Sequence, residues 1–228
     1  MIHQLIFAHP KPGMSEQEFQ RYWVEEHAVR YAAKIPQIRK YLIDTRIPFG
    51  PEPEDPMWSG VAEIWLANDE EQLASLQTDE FLNGARLDEP RWAAFWRSVV
   101  LDTDAHEVVP GPADAGGVKL IQLVKRREGL PLAEFRERLR GKYADLAAEV
   151  PGLRRYLQGT TRDGYYGVGE ALLDAAQQLW FDDTDALAAA LESPAYQRAH
   201  EELLSLVEPR YVHEMVVREH WIIGPEPR

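Results

Sequence analysis

The chain repeats itself, and this constrains its fold more than any other feature. IPQIRKYL at Ile35–Leu42 returns as VPGLRRYL at Val150–Leu157, 115 positions later. AEIWLANDEEQLASLQTDEF at Ala62–Phe81 returns as AQQLWFDDTDALAAALESPAY at Ala176–Tyr196, with Trp65 over Trp180 at the same offset of 115. Two anchors in one register define two copies. They predict a first repeat at 1–110, a linker at 111–117 within a Pro/Gly/Ala-rich stretch, and a second repeat at 118–228.

Each copy carries the same order of signals. IHQLIFAH and VKLIQLVKR are short apolar runs bounded by Pro and Gly, the mark of strands. Ser15 with Glu18 forms a capping box and Met14 with Phe19 a hydrophobic staple, so a helix is predicted from Glu16 to about Lys34. Its apolar face should hold Phe19, Tyr22, Trp23 and then Val29 or Arg30. Pro36 and Pro151 end the first helices, two strands follow, and second helices with Leu73, Leu76 and Phe81 or Leu187, Leu191 and Tyr196 come next. A closing strand is predicted near Ser98–Val109 and Arg210–Ile223.

The order βαββαβ is the ferredoxin-like unit, with helices on one face of an antiparallel sheet. Its other face must also be covered. Trp58, Trp65, Trp92, Trp96, Trp180 and Trp221 are too many large rings to leave in water, which predicts that the two sheets pair within one chain into an α+β barrel. Internal pairing makes a monomer the expected state.

Composition narrows the chemistry. Cysteine is absent, so disulfides and thiolate chemistry or thiolate metal sites are excluded. Net charge is -13, spread as -9 over residues 1–112 and -4 over the rest, which argues against a nucleic-acid partner. Met1 leads straight into a strand-like run, so neither a signal peptide nor a membrane span is expected, and the cytoplasm is the expected location. Walker, dinucleotide-binding and nucleophile-elbow motifs are missing, and the seven histidines show no metal-ligand spacing.

FQRYWVEEHAVRYAAKIPQIRKYLID (Phe19–Asp44) with SGVAEIWLANDEEQL (Ser59–Leu73) resembles the EthD family of dimeric α+β barrel proteins: an aromatic-Trp pair, His-Ala, then Pro before a Tyr-containing strand. The second copy departs from this motif. LRGKYADL puts Leu139 opposite Trp23 and Lys142 or Tyr143 opposite His27. Such proteins are similar to cofactor-free isomerases, dehydratases, decarboxylases and cyclases of aromatic or polyketide-like substrates, and also to monooxygenases and haem enzymes.

The resemblance, joined to imidazole's ability to exchange a proton near neutral pH, makes His27 the candidate general acid/base. At 100° per residue it lies about 80° from Phe19, at the border of the apolar face. Glu63, replaced by Gln178 in copy two, is the candidate partner of His27. Tyr22, Trp23, Tyr41 and Trp65 are candidate walls of an aromatic pocket, and His9 a candidate at its mouth. The expected function is a cofactor-independent lyase- or isomerase-type enzyme acting on a small apolar molecule. The alternatives are a non-catalytic carrier of a hydrophobic ligand, and a haem- or oxygen-using barrel enzyme.

Overall fold

A computed structural model describes residues 1–113 and 116–228, so the predicted linker at 111–117 includes two positions, 114 and 115, outside the described residues. The elements follow the predicted order. In copy one they are β1 (Ile2–Ala8), α1 (Glu16–Tyr22), a π-helical turn (Trp23–His27), α2 (Ala28–Arg30), β2 (Lys40–Arg46), β3 (Gly60–Leu66), α3 (Asp69–Ser75), a second π turn (Glu80–Ala85), α4 (Arg86–Asp88) and β4 (Val99–Val109). Copy two supplies β5 (Val118–Arg126), α5 (Leu132–Arg138), a π turn (Leu139–Tyr143), α6 (Ala144–Ala148), β6 (Arg155–Thr161), β7 (Ala175–Phe181), α7 (Thr184–Leu191), α8 (Pro194–Leu206) and β8 (Val207–Ile223). The fold is α+β, and its eight antiparallel strands form a closed barrel in the order β1-β3-β2-β8-β5-β7-β6-β4.

The chain forms two compact units, Met1–Asp102 with Val217–Arg228, and Thr103–Val216. They do not follow the repeat boundary, because the closing strands are exchanged. The end of β8 pairs with β2 in the first unit, from Arg46 opposite Val217 to Tyr41 opposite Ile223. The end of β4 pairs with β6 in the second, from Thr103 opposite Thr161 to Val109 opposite Tyr156.

In the first unit, β1 pairs with β3 so that Ile6 faces Ala62 and Gln4 faces Ile64. Ile2, Ile6, Ala8, Tyr41, Ile43, Ala62, Ile64 and Leu66 meet the helices, together with Phe19, Trp23, Ala28, Ala32 and Trp92. The alternate residues His3, Leu5, Phe7, Leu42, Asp44, Val61 and Glu63 lie on the other face and are buried as well. Ser15 caps α1 as predicted, with the reciprocal Glu18 bond present.

Several predicted core positions shift. Val29 and Arg30 are exposed, because the π turn inserts an extra residue and hands the buried face to Ala28 and Ala32. Leu73 is also exposed. It turns away from a two-turn helix whose Gln72 is tied to Asp102 by a 2.8 Å hydrogen bond and whose buried residue is Ser75. Of the six tryptophans expected on sheet faces, Trp92 instead packs among the helices and Trp96 is 75% exposed.

Candidate active site

Between the helices and the sheet of the first unit lies a cavity of about 130 Å³. Ile6, Ala8, Ala62, Ile64 and Leu66 form its floor, and Ile35 and Ile38 one wall. Trp23, His27, Tyr41, Glu89 and Trp92 line it too, and Gln4, Ser75 and Ser98 add uncharged polar groups. Leu76 and Phe95 are the lining side chains most exposed to water, and they mark its mouth.

His27 is the last residue of the π turn, and that turn decides its direction. One inserted residue turns the ring back by about 100°, which brings it within about 20° of Phe19 rather than at the border of the face. The side chain is accordingly buried, with its ring 4.7 Å from that of Trp92. π turns of this kind commonly mark functional positions.

The partner of His27 is Asp88. The carboxylate accepts a hydrogen bond from His27 Nδ1 at 2.9 Å and another from the Tyr22 hydroxyl at 2.8 Å, with the Arg91 guanidinium 3.6 Å away. Asp88 is itself buried and ends α4, directly after the second π turn, so each member of the pair is delivered by a bulged helix. The acceptor on Nδ1 assigns the ring proton to that nitrogen and leaves the Nε2 lone pair without a protein partner among the described residues. Burial lowers the imidazole's pKa below its usual value, against the opposing effect of Asp88, so the ring is neutral at pH 7.

Glu89 adds a second titratable group to the cavity lining. Burial raises its carboxyl to about 7, opposed by Arg86 and reinforced by Asp88. The Tyr41 phenol is fully buried and its pKa is raised, by burial first; the Trp23 indole opposes that rise and the Glu89 charge adds to it.

The remaining candidates fall elsewhere. Glu63 does not pair with His27. It meets His3 Nε2 at 2.6 Å on the opposite face of the sheet, because Ala62 and Ile64 take the cavity side and strand alternation sends Glu63 the other way. Trp65 shares that opposite face, stacked on His3 at 4.4 Å and on Trp221 at 5.9 Å, and does not line the cavity. Tyr22 touches the site through Asp88 rather than as a wall. His9 lies in a neighbouring polar groove, where Arg97 donates to its Nε2 at 2.8 Å.

Three lining or supporting residues escaped the sequence: Asp88, Glu89 and Trp92. Asp88 lies 61 positions from His27, beyond the reach of helical spacing. A carboxylate at Glu202, also buried near the end of its copy's last helix, was the available hint.

Copy two fills the corresponding space differently. Its π turn ends at Tyr143, which therefore stands where His27 does. Gln122, Gln158 and Gln177 replace Ile6, Ile43 and Ala62 on the helix-facing side of the sheet and are all buried. Gln158 donates to the Tyr156 hydroxyl at 3.0 Å, the Tyr156 hydroxyl donates to Gln177, and Gln122 donates to Glu214 at 2.6 Å. Glu202 pairs with Arg138 and Lys142 instead of a histidine.

An EthD domain model matches residues 11–95 and 127–204, one match in each copy and most of the chain together. The chain belongs to the EthD family. An anthrone oxidase-like protein of known structure is 13% identical over 96% of this chain and 92% of its own, with a TM-score of 0.66. A candidate monooxygenase from Fusobacterium nucleatum is 8% identical over 100% of this chain and 94% of its own, with a TM-score of 0.63. Another, from Lactobacillus acidophilus, is 15% identical over 96% and 93%, with a TM-score of 0.53. At such identities the likeness is one of fold. No curated protein matches the chain. No helix among the described residues is long and apolar enough to cross a membrane.

Proposed function

We propose that copy one is the working half and that it moves a proton on a small, largely apolar molecule held in its cavity, with His27 as general base. The observation that carries this reading is the Asp88–His27 pair, at 2.9 Å, of which His27 lines a cavity walled mostly by apolar side chains. A base needs a free lone pair, a neutral ring and a fixed tautomer, and a carboxylate behind Nδ1 supplies the last of these. A proton on the substrate carbon next to a carbonyl passes to His27 Nε2. The electron pair of the broken C–H bond moves onto the carbonyl oxygen, which takes a proton from Glu89; delivery of the His27 proton to a different carbon of the conjugated enol and return of the enol O–H proton to Glu89 complete an isomerisation and restore both groups.

The test is exchange of the α-hydrogens of cyclohexanone into D₂O at pH 7, followed by proton NMR. Acceleration over buffer by catalytic amounts of protein supports the reading. Saturable binding of the ketone with no acceleration contradicts it and favours a carrier of hydrophobic ligands.

The pH dependence has a predicted shape. His27 must be neutral, and its pKa is depressed, so activity is lost on the acid side below pH 6.5. Glu89 must be protonated and titrates at about 7, so activity is lost again as pH rises through that value. A bell-shaped kcat/KM profile for exchange is therefore expected, and Glu89→Gln, whose amide can hydrogen-bond to the oxygen but not protonate it, should lower the rate and leave no alkaline limb in the activity that remains. An alkaline limb unchanged in that variant removes Glu89 from the reaction.

A further inference from the structure

The cavity lining is poor in charge. No Lys or Arg lines it among the described residues, so an entering anion loses hydration and meets no cation in return. A cation fares little better. The Asp88 carboxylate already accepts from Tyr22 and His27, and the Glu89 carboxyl sits in surroundings apolar enough to favour its protonated form. What remains is neutral: the His27 Nε2 acceptor, a carboxyl able to donate and accept, and the uncharged polar groups of Gln4, Tyr41, Ser75 and Ser98, set among Ile, Ala, Leu, Phe and Trp side chains.

Size is limited as well. An apolar cavity of about 150 Å³ in another protein holds one benzene ring, and the cavity here measures about 130 Å³. One ring fits inside, and anything larger must extend through the mouth at Leu76 and Phe95.

We infer, on the strength of the proton-transfer reading above, that the site takes uncharged compounds of one ring, or equivalent bulk, whose hydroxyl or enolisable carbonyl oxygen hydrogen-bonds to His27 or Glu89. The apolar floor holds the ring, and His27 and Glu89 hold the oxygen. Nothing in the lining neutralises a carboxylate or a phosphate, and at pH 6 Glu89, which titrates at about 7, is mostly in the uncharged form that offers an ammonium group no counter-charge.

Calorimetric titration of the full chain at pH 6 with phenol, cyclohexanone, benzoate and benzylammonium tests this. Phenol and cyclohexanone should bind at least about tenfold more tightly than either ion, the difference expected when a buried charge goes unpaired. Leu76→Trp, at the exposed mouth where folding is not at stake, and Ala62→Leu, which fills the floor, should each remove saturable phenol binding. Benzoate or benzylammonium binding as tightly as phenol would overturn the inference, as would phenol binding unchanged in Leu76→Trp. Selective binding of the neutral probes without α-hydrogen exchange leaves the ligand class standing while the proton-transfer reading fails; exchange without that selectivity does the reverse.

Discussion

His27→Gln should lower the rate of α-hydrogen exchange by about 10²–10⁴-fold, the usual contribution of a positioned general base. Glutamine keeps a polar side chain of similar reach and preserves a hydrogen bond to Asp88, so folding, followed by circular dichroism, should be unchanged. The loss isolates the lone pair at Nε2, because the amide cannot take a proton near neutral pH. Phenol binding should persist in the variant within about tenfold, since one hydrogen bond contributes only about 0.5–1.5 kcal/mol net. A rate within threefold of the unsubstituted protein would remove His27 from the mechanism.

Phe19→Ala should destabilise the chain by about 3–5 kcal/mol, the cost of emptying a fully buried aromatic site. Phe19 has no exposed surface, and its ring lies 5.3 Å from both Trp23 and Trp92. Those two indoles stand 4.9 Å apart and wall the cavity beside His27, so their support is lost together with the apolar area. For a chain of this length the loss lowers Tm by roughly 6–20 °C. A loss below 1 kcal/mol would show that the site collapses onto the space and that Phe19 does not hold the cavity wall.

The fold was legible because the repeat states the same βαββαβ order twice, and each element carries its own local signal: the capping box at Ser15, the breaks at Pro36 and Pro151, the alternation in the strands. Strand exchange was not, since an apolar closing strand reads the same whichever sheet it joins. Helical counting failed at His27 for a definite reason. A π turn changes the phase by one residue, and no residue type in WVEEH announces it. The same phase error placed Val29 or Arg30 in the core.

Partner choice was the other limit. Glu63 is the carboxylate that an alternating strand makes conspicuous, but its face follows from β1 lying beside β3, which puts His3 and Glu63 diagonally across one side. Trp65 follows the same alternation, into a stack with His3 and Trp221. Asp88 is legible only in three dimensions, where a second bulged helix turns it inward. Gln178 in place of Glu63 was one visible sign of divergence between the copies; the larger change is the set of glutamines and tyrosines that fills the second interior.

The protonation state of one ring decides the matter most directly, and nitrogen-15 NMR of the labelled protein reads it. At pH 7 the His27 imidazole should be neutral, with its hydrogen on Nδ1 and a bare Nε2, and should gain its second proton only below pH 6.5. An imidazolium at pH 7, or a ring carrying its hydrogen on Nε2, would contradict a base aimed into the cavity.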